Sequence, residues 1–266
     1  PAETPSAADG TEEAPAAPVR IFVMGANAWR DEQEWPLART QWTHYYLHSG
    51  GQANSRFGNG SLSRALPEAE PTDSYRYDPA RPVPFLTEPT SSQIGGPDDY
   101  AAAERRDDVL VYVTEPLTED IEVTGPIKMD LYAASSAPDT DFTAKLTDVW
   151  PTGFVQRLCD GVVRARFRNG MEMPTLIEPG QVYRYTIDCW NTSQVFKAGH
   201  RIGLEISSSA FPKFARNLNT GAPLGITSEM AVAEQVIHHA AEYPSALILP
   251  VILPAIPDIS EDTTNV

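Results

Sequence analysis

Residues 201–221, RIGLEISSSAFPKFARNLNTG, begin as a strand and end as a loop. Ile202, Leu204 and Ile206 alternate with Arg201, Gly203 and Glu205 before the chain enters a polar, asparagine-rich stretch. A period of two puts one set of side chains in a core and the other in water. The same alternation recurs upstream. Tyr183, Tyr185, Ile187 and Cys189 alternate with Arg184, Thr186 and Asp188, and Val163, Ala165 and Phe167 with Arg164, Arg166 and Arg168. Phe142, Ala144 and Leu146 alternate with Thr143, Lys145 and Thr147, and Ile127, Met129, Leu131 and Ala133 with Lys128 and Asp130. Residues 109–114 and 120–125 are two more strand candidates, split by a turn at Pro116. Short strands in close succession with Pro and Gly between them predict an all-β fold. The expected form is an antiparallel β-sandwich, a jelly roll, with long irregular loops.

The N-terminal part reads differently. Residues 1–18, PAETPSAADGTEEAPAAP, carry no aromatic and too little apolar area to offset ordering, which predicts a flexible acidic loop. Residues 20–24 form a short apolar run ended by Gly25, a buried strand by pattern. The segments 29–42, 50–72 and 78–106 lack periodicity. Loops of that length in a compact domain have a function or are covered by something else. The division that follows is 1–18 as a loop, 19–106 as a remnant strand with crossing loops, 107–253 as the sandwich and 254–266 as a loose acidic tail.

The chain has 266 residues, 24 prolines and a net charge of −16, from 36 acidic and 20 basic side chains. That balance opposes a nucleic-acid or anionic-membrane partner, both of which need a basic surface. Solubility accounts for the acidity, and a salt-adapted source is the other reading. No apolar run approaches the roughly 20 residues that span a bilayer, and no signal peptide is visible. The reading is of a soluble chain, with the cytoplasm favoured. It starts at Pro1 rather than Met, as a fragment or processed chain would. Cys159 and Cys189 lie in strand-like runs, so buried free thiols are expected ahead of a disulfide.

A serine hydrolase needs an activated Ser, a His, an acid and an oxyanion hole. No G-x-S-x-G occurs; GNGSLS at 58–63 has the wrong spacing and reads as loop. His44 and His48 are four apart, but Tyr45 stands where a zinc peptidase motif needs Glu. His238 and His239 are adjacent, so in a strand they face opposite ways. His200, at a turn into a strand, suits a structural hydrogen bond. Asp139 and Asp141 are too few for calcium alone and suit turn formation. The arginine row 164, 166 and 168 either grips an anion or pairs with acids across the strand, and the acidic excess favours pairing. No catalytic residue, metal or cofactor is assigned.

Several stretches, taken in order, resemble the C-terminal β-domain of the cocaine-esterase/X-Pro dipeptidyl-peptidase family of serine hydrolases. They are VRIFVMG at 19–25 with Trp29-Arg30 and Trp35-Pro36, Tyr77-Asp78-Pro79 with Pro82-Val83-Pro84, and RDDVL at 106–110. DTDF at 139–142, LCDG at 158–161, FKAGHRI at 196–202, the 207–221 run and Pro244-Ser245 complete the series. The resemblance implies a galactose-binding-domain-like jelly roll that is not catalytic alone. Its partners would be the α/β-hydrolase and cap domains of the same polypeptide, carrying the Ser–His–Asp triad upstream. The substrate would be a small ester or peptide. The segment 19–106 would lie against the hydrolase domain. The loop at about 87–95 would approach the active site, with Ser91, Ser92 and Gln93 suiting a polar acyl group. Residues 228–241 are helical by propensity, but relatives run a strand there, and strand is the reading taken. The rival is a free-standing jelly-roll carbohydrate-binding module, for which Trp29, Trp35, Trp42, Trp150 and Trp190 would supply a stacking platform.

Overall fold

The computed structural model describes residues 17–86 and 98–253, and these hold thirteen strands and two short 3-10 turns. The strands are β1 Val19–Val23, β2 Ala28–Glu32, β3 Thr40–His48, β4 Ser61–Ser63, β5 Asp73–Tyr77 and β6 Leu110–Val113. They continue as β7 Ile121–Ser135, β8 Asp141–Val149, β9 Val155–Arg164, β10 Tyr183–Phe196, β11 Arg201–Ser207, β12 Ala233–His238 and β13 Ala246–Ile252. The fold is the expected β-sandwich, whose strands pair antiparallel except for one parallel rung between β4 and β6, Ser61 with Val113; the isolated bridges Met24–Gln194 and Pro84–Phe211 are also parallel.

β7 is the spine. One edge pairs with β10 from Tyr183 opposite Ala133 to Phe196 opposite Ile121. The other edge takes β12 near its C-terminal end and β13 along the rest. From β13 the sheet runs through β3, β4, β6, β11 and β8 to β9, while β5 extends it beyond β12. One core is enclosed, built from side chains such as Met129, Leu131, Phe142, Leu146, Ile187 and Leu247. Burying a side chain of that size is worth roughly 1.5–3 kcal/mol, so this core dominates stability. β1 and β2 form a separate two-stranded ribbon, joined to β10 through Met24 and Gln194.

Several expectations need correction. Residues 121–125 and 127–134 are one strand: Gly125 and Pro126 stay paired with Thr192 and Asn191 of β10, which bulges just beyond them, and toward β13 the extra residues lie in β7 itself. Gly125 has φ 144° and faces Pro250, a conformation and a space that admit no side chain. The arginine row is not all strand: β9 ends at Arg164, and residues 165–167 make a 3-10 turn. Segments read as aperiodic hold β2, the start of β3 and β4, and β5 lies at 73–77, where no strand is expected. The sheet also crosses the boundary drawn at residue 107, since β3, β4 and β5 hydrogen-bond to β13, β6 and β12. The strand reading of 228–241 holds for its centre, β12.

The alternation of β8 misleads in one respect. Thr143, Lys145 and Thr147 do not face water; both faces of β8 and β11 are buried. The 3-10 turn Tyr100–Arg105 lies over them, with Tyr100 and Glu104 buried against Lys145. Period two therefore survives while its usual meaning, one wet face, fails. Among the described residues no helix is long and apolar enough to cross a membrane.

Candidate functional site

A buried cluster has the composition of a serine-hydrolase site, beside a second, partly buried one in which His48 Nε2 lies 3.0 Å from Ser63 Oγ and its Nδ1 2.6 Å from Glu70. Ser49 follows β3, Asp73 opens β5, and His239 follows β12, so pairing of β5 with β12 brings the three together. Ser49 Oγ donates to Asp73 at 2.7 and 2.8 Å, and His239 Nε2 lies 2.9 Å from Asp73 Oδ2. The geometry disqualifies it. The serine proton goes to the carboxylate, with His239 Nε2 at 3.4 Å. A nitrogen facing a carboxylate carries the proton, so His239 has no lone pair there to act as base. Asp73 and His239 are 0% and 1% exposed, which leaves a substrate no approach.

Asp73 is instead a structural hub. It also accepts from Tyr112 OH and the Ala53 N–H, each at 2.8 Å. Burial pushes its carboxyl up, but the bonds from His239, Ala53, Ser49 and Tyr112 outweigh this and hold it below the usual range. Glu70 continues the network to His48 Nδ1 at 2.6 Å and to the Ser49 N–H at 3.0 Å. Nothing in the spacing of residues 49, 73 and 239 signals this; the strand register alone does.

The serines at the head of the 207–221 stretch are also committed. Ser207 Oγ donates to the Asp108 carbonyl, Ser208 meets Tyr75 OH, and Ser209 Oγ accepts the Val83 N–H. Asn217 reaches Asp139 and Asp141, both at 2.8 Å. Those acids take Arg166 and Arg164 as well, each at 2.8 Å, which bears out pairing for two of the three arginines. The carboxylates considered for calcium are thus occupied by side chains, and their bonds are long-range rather than the local turn expected. Arg168 stacks on Tyr183 and donates to the Thr175 carbonyl. His200 makes the anticipated structural bond, to Asp148 at 2.8 Å. Cys159 and Cys189 are free and buried, and burial pushes the Cys159 thiol up to about 12.

Ser91, Ser92 and Gln93 lie outside the described residues. The stems on either side are firmly held. Phe85 N–H donates to the Phe211 carbonyl at 2.7 Å, and Leu86 N–H to Tyr100 OH at 3.1 Å. Arg157 and Lys213 both stand over the Phe85 ring and both reach Asp160. On the return side, Asp99 pairs with Gln156 and accepts the Val155 N–H. Beneath, Lys145 packs 3.9 Å from the Tyr100 ring and forms a buried pair with Glu205 at 2.5 Å.

Exposed aromatics gather on the first ribbon. Register places Phe22 opposite Trp29 on one face, with ring centroids 5.4 Å apart, and Arg20 stacks on Trp29. Trp35 and Trp42 are also exposed. Among the described residues no tryptophan ring contacts another.

Comparison with known proteins places this sandwich in a family. Residues 13–248 match the family described as the X-Pro dipeptidyl-peptidase C-terminal non-catalytic domain. The chain is 49% identical over 238 residues to cocaine esterase of Rhodococcus sp. (strain MB1 Bresler), covering 88% of this chain and 42% of that protein. Its structure is similar to an α-amino acid ester hydrolase, with a TM-score of 0.81 and 29% identity over 92% of this chain and 42% of the other. It is likewise similar to an aminopeptidase of a marine sediment Thaumarchaeota archaeon, with a TM-score of 0.79 and 31% identity over 89% of this chain and 41% of that one. The chain spans less than half the length of these proteins, and it belongs to the family of X-Pro dipeptidyl-peptidase C-terminal non-catalytic domains.

Proposed function

We propose that this chain is the C-terminal β-domain of a serine hydrolase acting on esters or amides, of the acyl esterase, α-amino-acid ester hydrolase or X-Pro dipeptidyl-peptidase type. It does no chemistry alone. It packs on α/β-hydrolase and cap domains of the same polypeptide and walls their substrate pocket. The observation that carries this reading is the share of the relatives covered: a 49%-identical esterase is matched over only 42% of its length. The exposed aromatic face of the β1–β2 ribbon supports packing of the 19–106 segment on a further domain, since contiguous apolar surface marks an interface. Residues 85–86 and 99 are anchored on either side of the segment that carries Ser91, Ser92 and Gln93, which we take as the acyl-pocket contacts. Those three polar side chains suit a polar acyl group over an aromatic one.

The test is to assay p-nitrophenyl esters and Xaa-Pro p-nitroanilides with the 266-residue chain and with the longer protein that contains it. Turnover is expected only from the longer protein. Hydrolysis by the 266-residue chain at a comparable rate would overturn the reading. Within the longer protein, Gln93→Phe is expected to move preference toward aromatic acyl groups, and an unchanged substrate profile would remove the pocket role.

A further inference from the structure

A cavity of about 310 Å³ opens among residues 55–60, the 100–105 turn and the ends of β6, β8 and β11. Three kinds of group line it. Arg56 and Arg201 bring guanidinium groups, Glu104 brings a carboxyl, and Val111, Val113 and Val149 bring methyls.

The cations are poorly matched. Arg56 reaches two backbone carbonyls, of Ala101 at 3.4 Å and Gly153 at 3.3 Å, and no carboxylate at ion-pair distance among the described residues. Arg201 donates to the Thr114 carbonyl at 2.7 Å and meets Glu115 only at 3.8 Å, where that carboxylate is 93% exposed. Glu104 is 2% exposed, and its Oε1 has no hydrogen-bond partner. A buried polar atom left unpaired asks for an explanation, and a ligand is one. Burial, and next the charge of Glu205, push the Glu104 carboxyl up to about 8 against the pull of Arg56 and Lys145. At neutral pH it therefore holds a proton and is a donor. Asp99 and Glu205 are the acids that face it, Arg56 and Lys145 the cations.

Two arginines and a carboxyl group thus line one space, in a chain whose net charge is −16. We propose that this cavity binds a short aliphatic carboxylate, its oxygens on Arg56 and Arg201 with Glu104 as a further donor, and its alkyl end on the three valines. The size agrees, since ligand sites begin at roughly 300 Å³. A cation would meet two like charges, and inorganic phosphate would leave the valine wall unused. The site is separate from the stems described above and independent of the proposed hydrolase role.

Butyrate titrated into the 266-residue chain at pH 7, followed by amide chemical shifts in NMR, tests this. Saturable shifts at Gly58, Gly60, Val111 and Val113 are expected, with no response to butylamine. Arg56→Met should weaken binding at least tenfold. Affinity should fall as pH rises through 8, because ionised Glu104 repels the carboxylate, and Glu104→Gln should abolish that fall. Shifts that do not saturate, shifts confined to other surfaces, or equal affinity in Arg56→Met would each overturn the proposal. Should Arg56→Met fail to fold, the location of the shifts in the unaltered chain decides.

Discussion

Two carboxyls sit in the interior of this sandwich under opposite regimes. Around Asp73 four donors converge, from Ser49, Ala53, Tyr112 and His239, and the group stays ionised below the usual range. Around Glu104 the nearest partners are charges rather than donors, Oε1 is unpaired, and the group is pushed up to about 8. Both are buried, so burial alone does not set the direction. The count of hydrogen bonds to the charged form does. A saturated polar cluster acts as structure, whereas an unsaturated one is a source of strain and of binding capacity.

The sharpest way to break the contrast is Asp73→Ala. It strands four donors in the core and should cost about 4 kcal/mol or more, read as a lower urea midpoint at unchanged m-value. Lys145→Met comes next: it leaves Glu205 buried without its partner and should cost about 3 kcal/mol. Glu104→Gln should do the reverse and stabilise by about 1–3 kcal/mol at pH 9, because it removes a buried charge that lacks donors. The smallest change is expected from the double variant Lys145→Met/Glu205→Leu, within about 1 kcal/mol of the original, since a buried ion pair replaced by apolar groups is often neutral. A loss as large as that of Lys145→Met alone would show that the pair itself, rather than the stranded charge, matters.

The pH profile sharpens the comparison further. Asp73 has a folded value below its unfolded one, about 3.9. Its contribution is fully present above that value and lost as pH falls through the folded value. Glu104 runs the other way. Its folded value, about 8, exceeds its ordinary value of 4.5, so stability declines as pH rises between the two and remains reduced above. Asp73→Asn should flatten the acid limb of a denaturation series, and Glu104→Gln the limb between 4.5 and 8. Acid sensitivity unchanged in Asp73→Asn would mean that other carboxyls govern that limb.

Legibility in the sequence followed periodicity. Strands β7, β8, β10 and β11 were readable because large apolar residues recur at every second position, and 233–238 was readable only through its resemblance to relatives. β5 was missed because DSYRY looks polar, though its tyrosines point into the core. Lys145 and Glu205 were placed in water because alternation says nothing about a second layer, and the turn at 100–105 supplies that layer. Of the polar groups, the Arg164 and Arg166 pairs could be anticipated from charge excess. The Ser49–Asp73–His239 cluster could not, since its members meet only through strand register. With the elbow motif missing, the sequence offered no triad to assign.

That register has a temporal consequence. Ser49 precedes His239 by 190 residues; β3 has β4 on one edge but finds its other antiparallel partner only in β13, and among the described residues β5 pairs only with β12. At a synthesis rate of about 5–20 residues per second, β3 and β5 wait on the order of 10–40 s for those partners. During that interval the edges of β3 and β5 are open to intermolecular pairing, so yield in the cell should depend on what shields a nascent chain as much as on the stability of the finished sandwich.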